Sequence, residues 1–316
     1  MIKKLFFNLP IIGELEILVS RNELAEFALR QMNAYYQNCV DIDENICGSK
    51  LIITNTAFLA KARKFFETNR MLSRQYKVQE NCIYVSGLKY EFLSDKLVIT
   101  YWQNEKTKWY KKTRALDYPQ CHIRFYNQIL FPLFSLYSIF DGYYLIHGSL
   151  IGYKNKTFII SGLDGVGKSS LSNLLAQSSA EIYSDNFVLF NGAKSVPFNL
   201  AIRLEPDKPT NMRELYRNHE LKEVLSPSNA KRPLIVESIV ALSVGDAVEL
   251  SRGGNNISAL CLFCNNAPEI CAANQIVTPF LYDHINKHCK TDIQIRKLSV
   301  PFGKIDQGME VLIHEN

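Results

Sequence analysis

The run Gly162-Leu163-Asp164-Gly165-Val166-Gly167-Lys168-Ser169 constrains this chain more than any other segment. It matches the pattern of a glycine, four residues, then Gly-Lys followed by Ser or Thr. The apolar lead-in Thr157-Phe-Ile-Ile160 predicts a strand, and Ser169 to Ser178 predicts a helix. Strand, glycine-rich turn and helix in that order predict an α/β core built around a phosphate-binding loop. Glycines let the backbone curl so that successive N–H groups point at phosphate oxygens, at the positive end of the following helix. Gly162, Asp164, Gly165, Val166, Gly167, Lys168, Ser169 and Ser170 are therefore the candidate nucleotide-binding residues. Lys168 is expected to reach the β- and γ-phosphates. Ser169 is expected to offer its hydroxyl to Mg2+, a hard cation that prefers oxygen ligands.

Such a loop serves kinases, switches and motors alike, so the class is decided by the group that handles an acceptor or an attacking water. Asp185, at the end of Glu181-Ile-Tyr-Ser-Asp185, lies 17 residues after Lys168. A helix of about ten residues and a short return strand would bring its carboxylate back beside the phosphates, to accept a hydroxyl proton or to hold Mg2+. The plain alternative is a strand-end Asp that caps a turn. His147, in Leu145-Ile-His-Gly-Ser149, precedes the loop strand, and its ring can pair with Asp185 if the two strands are neighbours. A lone His on an apolar strand is more often a core residue. Arg203 and Arg252 are the available cations for the charge on a migrating phosphoryl group, against surface or packing roles. Asp246, after Ile239-Val-Ala-Leu-Ser-Val-Gly245, reads as a turn residue between two strands, with a rival magnesium-holding acid as the other reading.

Taken together, His147-Gly-Ser-Leu-Ile, then Phe158-Ile-Ile-Ser-Gly162-Leu-Asp-Gly-Val-Gly167-Lys-Ser-Ser170, then Tyr183-Ser-Asp185-Asn186, resemble the catalytic core of the HPr kinase/phosphorylase family. The resemblance spans residues 140–200 with motifs and extends more loosely to residue 316. It also covers the HPr-kinase-like enzymes found with ribosomal peptide natural products. It implies an α/β P-loop core of the HPr kinase/phosphoenolpyruvate carboxykinase type, a mixed sheet with helices. It implies an ATP- and Mg2+-dependent kinase in which Asp185 is general base on a serine-type hydroxyl, His147 supports it, and Lys168 and Ser169 hold ATP and metal. A peptide or protein serine is the favoured acceptor; a small-molecule alcohol and a non-catalytic nucleotide switch are the alternatives. Residues 1–125 do not resemble that family's regulatory domain. Asn186 stands where the family carries a second acid, and Ser170 where it carries an acid after the loop.

Texture divides the chain near residue 125. Residues 1–125 read as a smaller α+β N-terminal domain, a candidate for substrate docking, and residues 126–316 as the catalytic domain. In the first, Glu23 to Tyr36 and Ala57 to Leu72 have helical apolar spacing, while Leu51–Thr54, Cys82–Val85 and Lys96–Trp102 read as strands. A connecting helix is expected from Phe125 to Phe140. Strands are expected over Tyr143–Gly152, Thr157–Ser161, Glu181–Ser184 and Phe187–Phe190.

Across the 316 residues, 47% hydrophobic and 21% charged content excludes disorder and low complexity. The net charge of +5 does not call for nucleic acid as partner. The start, Met1-Ile-Lys-Lys-Leu-Phe-Phe-Asn-Leu-Pro10, superficially suggests a signal peptide, but its apolar run is interrupted at once, and Pro132 and Asp141 break the most apolar stretch. A cytoplasmic protein without membrane partner is the expectation, with homo-oligomerisation open. Eight cysteines are too sparse for a disulfide scaffold. Cys261 and Cys264, with Cys271, His284, His288 and Cys289 downstream, supply half of a zinc pattern, although the apolar run around Cys261 favours a buried strand. Lys106 to Arg114 holds five cations and two aromatics in nine residues, which suits docking of an acidic peptide or a solvated hairpin edge.

Overall fold

The architecture is mixed α/β in this computed structural model, which describes residues 2–9, 13–19, 25, 28–29, 32, 35–42, 49–68, 77–79, 82–85, 88–101, 143–163, 165–185, 188–197, 202–204, 223–225, 232–253 and 293–315. Outside them lie Asp164, the expected helix at 125–140 with the expected boundary at 125, the Lys106–Arg114 segment, and all the cysteines and histidines of the zinc pattern. The chain forms two compact units. One comprises residues 1–140, 205–222 and 272–276, the other residues 141–204, 223–271 and 277–316.

The first unit is an antiparallel sheet of eight strands. These are β1 (Ile2–Leu9), β2 (Gly13–Val19), β3 (Tyr36–Ile42), β4 (Ser49–Ile53), β5 (Lys77–Gln79), β6 (Cys82–Val85), β7 (Leu88–Phe92) and β8 (Leu97–Tyr101), in the order β3-β1-β2-β4-β8-β7-β6-β5. Period-two burial sets the register. Leu5, Phe7 and Leu9 of β1 are buried together with Leu15, Ile17 and Val19 of β2, and Leu5 pairs with Ile17. The N-terminal run that superficially suggests a signal peptide is thus one arm of a hairpin. Of the helix expected over 23–36, Ala25, Ala28 and Met32 are buried at helical spacing, while Tyr36 already opens β3. Helix α1 (Thr56–Thr68) begins where the side chain of Asn55 accepts the N–H of Phe58 at 3.0 Å, and it buries Phe58, Leu59 and Ala62.

The second unit carries a six-stranded mixed sheet. Its strands are β10 (Gly148–Tyr153), β11 (Lys156–Gly162), β12 (Glu181–Ser184), β18 (Ser238–Val244), β19 (Glu249–Arg252) and β20 (Gln294–Val300), in the order β12-β10-β11-β18-β20-β19. The centre, β11, β18 and β20, is parallel, and the flanking strands are antiparallel. Parallel strands buried on both faces need continuous apolar runs, and Phe158-Ile159-Ile160 and Ile239-Val240 supply them. One face packs Phe158, Ile160, Val240, Leu242, Leu298 and Val300 with Leu171 and Leu175 of helix α2 (Lys168–Gln177) and Leu312 of helix α3 (Ile305–Glu315). A second sheet, in the order β17-β14-β13-β9, is built from β9 (Tyr144–Ile146), β13 (Val188–Phe190), β14 (Lys194–Val196) and β17 (Leu234–Ile235). The strands β15 (Ile202–Leu204) and β16 (Glu223–Leu225) pair with each other.

One expected strand is two. Tyr143 to Gly152 reads as a single run, but β9 pairs with β13 and β10 pairs with β11, so the chain changes sheets at His147. At the next residue the chain runs close against β11, where a Cβ on Gly148 would stand 2.3 Å from the carbonyl oxygen of Ile160. Among the described residues, no helix is long and apolar enough to cross a membrane.

Candidate functional site

The site grows from the carboxyl end of β11, the end at which open α/β sheets place their ligands. At Gly162 the backbone runs so close to β18 that a Cβ would lie 2.4 Å from the carbonyl oxygen of Leu242, and only glycine fits. The chain then turns to α2 through Gly167, the N-cap, at φ +98, in the left-handed region that suits glycine. The N-cap glycine offers no side-chain cap to α2, so the helix start presents its first N–H groups toward the loop. Leu163, Gly165, Val166, Ser169 and Ser170 are at least partly accessible here. Helix α3 backs the loop, since a Cβ on Gly167 would stand 3.4 Å from Cδ1 of Ile305.

Lys168 is 8% exposed. Its ammonium donates to the carbonyl oxygens of Gly162 at 3.0 Å and Leu163 at 2.8 Å, folding back over the loop that precedes it. A buried ammonium needs such acceptors, and these two hold it at the mouth of the loop. One turn on, the Ser172 hydroxyl donates to the Lys168 carbonyl at 3.0 Å.

Asp185 lies just past β12, 3% exposed. Its Oδ1 accepts the Ser149 hydroxyl at 2.6 Å, and its Oδ2 accepts the Ser169 hydroxyl at 3.3 Å. The first distance is that of a charge-assisted O–H···O bond and the second is longer and weaker. The structure thus joins two residues the sequence singles out, Ser169 and Asp185, across 16 positions. It adds Ser149, fully buried on β10, which sequence reasoning misses because a serine on an apolar strand carries no signal of its own.

His147 is partly exposed at the corner between β9 and β10, and its backbone carbonyl accepts the Ser161 hydroxyl at 2.8 Å. Arg203 is on β15, opposite Val224, and its side chain lies outside the described residues. Arg252 is on β19, three strands from β11, or about 14 Å across the sheet, and is not brought to the loop. Asp246 is exposed in the turn between β18 and β19.

Two perturbed groups flank this region. Tyr183, on β12, donates its hydroxyl to Glu181, and burial, then that hydrogen bond and the Glu181 charge, push its pKa up to about 12. Arg296, on β20, donates to the Ser238 hydroxyl at 3.2 Å; burial lowers its pKa, and the charge of Glu315 partly counters this. Arg296 pairs with Val240, level with Ile160 of β11, and its bond to Ser238 gives it a packing role. Among the described residues, no group of three or more His, Cys, Asp or Glu side chains is placed to hold a metal.

No known family model matches the chain, and no curated protein does. Among solved structures it is similar to the HPr(Ser) kinase/phosphatase from Coxiella burnetii, at 12% identity and a TM-score of 0.29, over 54% of this chain and 94% of that one.

Proposed function

We propose that this chain is a kinase that transfers the γ-phosphoryl group of ATP to a hydroxyl, with a serine of a peptide or protein as the acceptor class. The observation that carries the reading is the Asp185 carboxylate hydrogen-bonded to Ser169, the residue after the loop lysine. A bare glycine-rich turn gives no reason to bury an acid there. An acid that handles a hydroxyl beside a bound phosphate chain does.

The donor set suits the ligands. The loop of Gly162, Asp164, Gly165, Val166, Gly167, Lys168, Ser169 and Ser170 offers backbone N–H groups and a helix start to the phosphates. The oxygens of Ser169 and Asp185 suit Mg2+, which when bound would neutralise charge on the β- and γ-phosphates. Lys168 exchanges the carbonyls of Gly162 and Leu163 for phosphate oxygens, so its charge follows the migrating group. Asp185 accepts the acceptor's proton as the new O–P bond forms and the bond to ADP breaks. His147, at the corner between β9 and β10, is the candidate to support Asp185, and Arg203 is the candidate for further positive charge. The Lys106–Arg114 segment is the candidate for docking an acidic peptide.

The test is transfer of label from γ-labelled ATP into the peptide-sized fraction of a native host extract, with wild type, Lys168→Ala and Asp185→Asn. Label that appears with wild type and with neither variant supports the reading. Wild type that binds ATP and labels nothing, with Asp185→Asn indistinguishable from it, overturns catalysis and leaves a nucleotide switch.

A further inference from the structure

β12 carries one residue more than regular pairing with β10 allows. Gly152 pairs with Glu181 and Ile151 with Ile182, but Leu150 pairs with Ser184, so Tyr183 is an extra residue, a β-bulge. In the regular register Leu150 would face Tyr183, and Asp185 would fall opposite Gly148. Continued past the bulge, the shifted register sets Asp185 opposite Ser149, and there its Oδ1 accepts the Ser149 hydroxyl at 2.6 Å. A one-residue shift exchanges the faces of a strand, so the bulge decides which way the carboxylate points. Tyr183 seats the bulge. Its ring lies over Gly152, where a Cβ would stand 2.7 Å from Cε2, and its hydroxyl donates to Glu181.

From this geometry we infer that Ser149 is a positioning residue that divides the labour between the two oxygens of Asp185. Oδ1 is the anchor, held by a fully buried hydroxyl on β10, between β12 and β11. Oδ2 is the working oxygen, turned to the loop and joined to Ser169 at 3.3 Å, a bond long enough to be exchanged. Without the Ser149 hydroxyl Oδ1 loses the 2.6 Å bond that aims the carboxylate, and Oδ2 is presented less exactly to an incoming hydroxyl. Small misplacements of a base are costly to turnover while leaving nucleotide binding almost untouched.

The inference rests on Asp185 acting in phosphoryl transfer, and one series separates the two. Ser149→Ala, Ser149→Thr and Asp185→Asn are compared with wild type for kcat and for KM of ATP in the label-transfer reaction, with a thermal melt of each. Ser149→Ala is expected to lose about tenfold in kcat with KM for ATP within about twofold, while Ser149→Thr, which restores a hydroxyl, recovers most of the loss. Should Ser149→Ala not fold, Ser149→Cys, of similar volume but a weaker donor, takes its place with the same thresholds. A folded Ser149→Ala with wild-type kcat, beside an inactive Asp185→Asn, overturns the role of Ser149 and leaves that of Asp185. Equal losses in folded Ser149→Ala and Ser149→Thr also overturn it, since packing and not the hydroxyl would then be the cause. An Asp185→Asn as active as wild type overturns the reading beneath.

Discussion

The ammonium of Lys168 sits on the carbonyls of Gly162 and Leu163, within one loop of where a phosphate would need it. Replacing it should therefore remove chemistry and leave the fold. Lys168→Met, which keeps most of the stem, is expected to reduce label transfer by about a hundredfold or more, with a denaturation midpoint close to wild type. Tyr183 gives a prediction in the alkaline range. Its folded pKa, about 12, is above the ordinary value of 10.0, so the neutral phenol stabilises the fold fully below pH 10 and loses that contribution as pH rises toward 12. Urea midpoints from pH 9 to 12 should fall less steeply in Tyr183→Phe than in wild type; parallel curves would remove the Tyr183 phenol as the cause. At this scale the sequence is legible where chemistry has a spacing. Gly162 to Ser169 and Asp185 stand out because the phosphate binding and proton transfer proposed for them would impose residue types and intervals. Ser149 does not, because its meaning comes from a bulge 34 residues away at Tyr183.

Among the elements, the turn from β11 into α2 is the most constrained. Gly167 combines φ +98 with a neighbour at 3.4 Å, so Gly167→Ala is expected to cost about 1–3 kcal/mol by urea denaturation, while Ser170→Ala, exposed on the same helix, should cost less than about 0.5 kcal/mol. Equal effects would mean that the loop backbone is not strained by a side chain. The elements with continuous apolar runs, β11 and β18, are readable in advance because burial on both faces leaves no choice of composition. Others are hidden by competition between signals. β1 superficially suggests the front of a leader because lysines precede Leu5-Phe6-Phe7, and its pairing with β2 reveals the alternation. The break at His147 is hidden because both halves of Tyr143–Gly152 are apolar, and what separates them is pairing with different strands, β13 for the first and β11 for the second.

On the scale of the whole molecule, the chain divides into two compact units whose sequences interleave, since residues 205–222 and 272–276 belong with the first unit. Calorimetry should resolve two transitions. Leu5→Ala, in the first unit, and Leu298→Ala, in the second, are each expected to lower one of them by about 5–10 °C and leave the other in place. A single transition moved by both variants would mean that the units unfold as one. β20 is the latest in sequence of the six strands in its sheet, yet it lies inside, between β18 and β19. A ribosome delivers five strands before the one that joins two of them, so the nascent chain waits with an open seam beside β18. Release of the finished sheet therefore depends on the late arrival of a seven-residue strand, which makes any stall in translation before Gln294 a moment of exposure to chaperones and proteases.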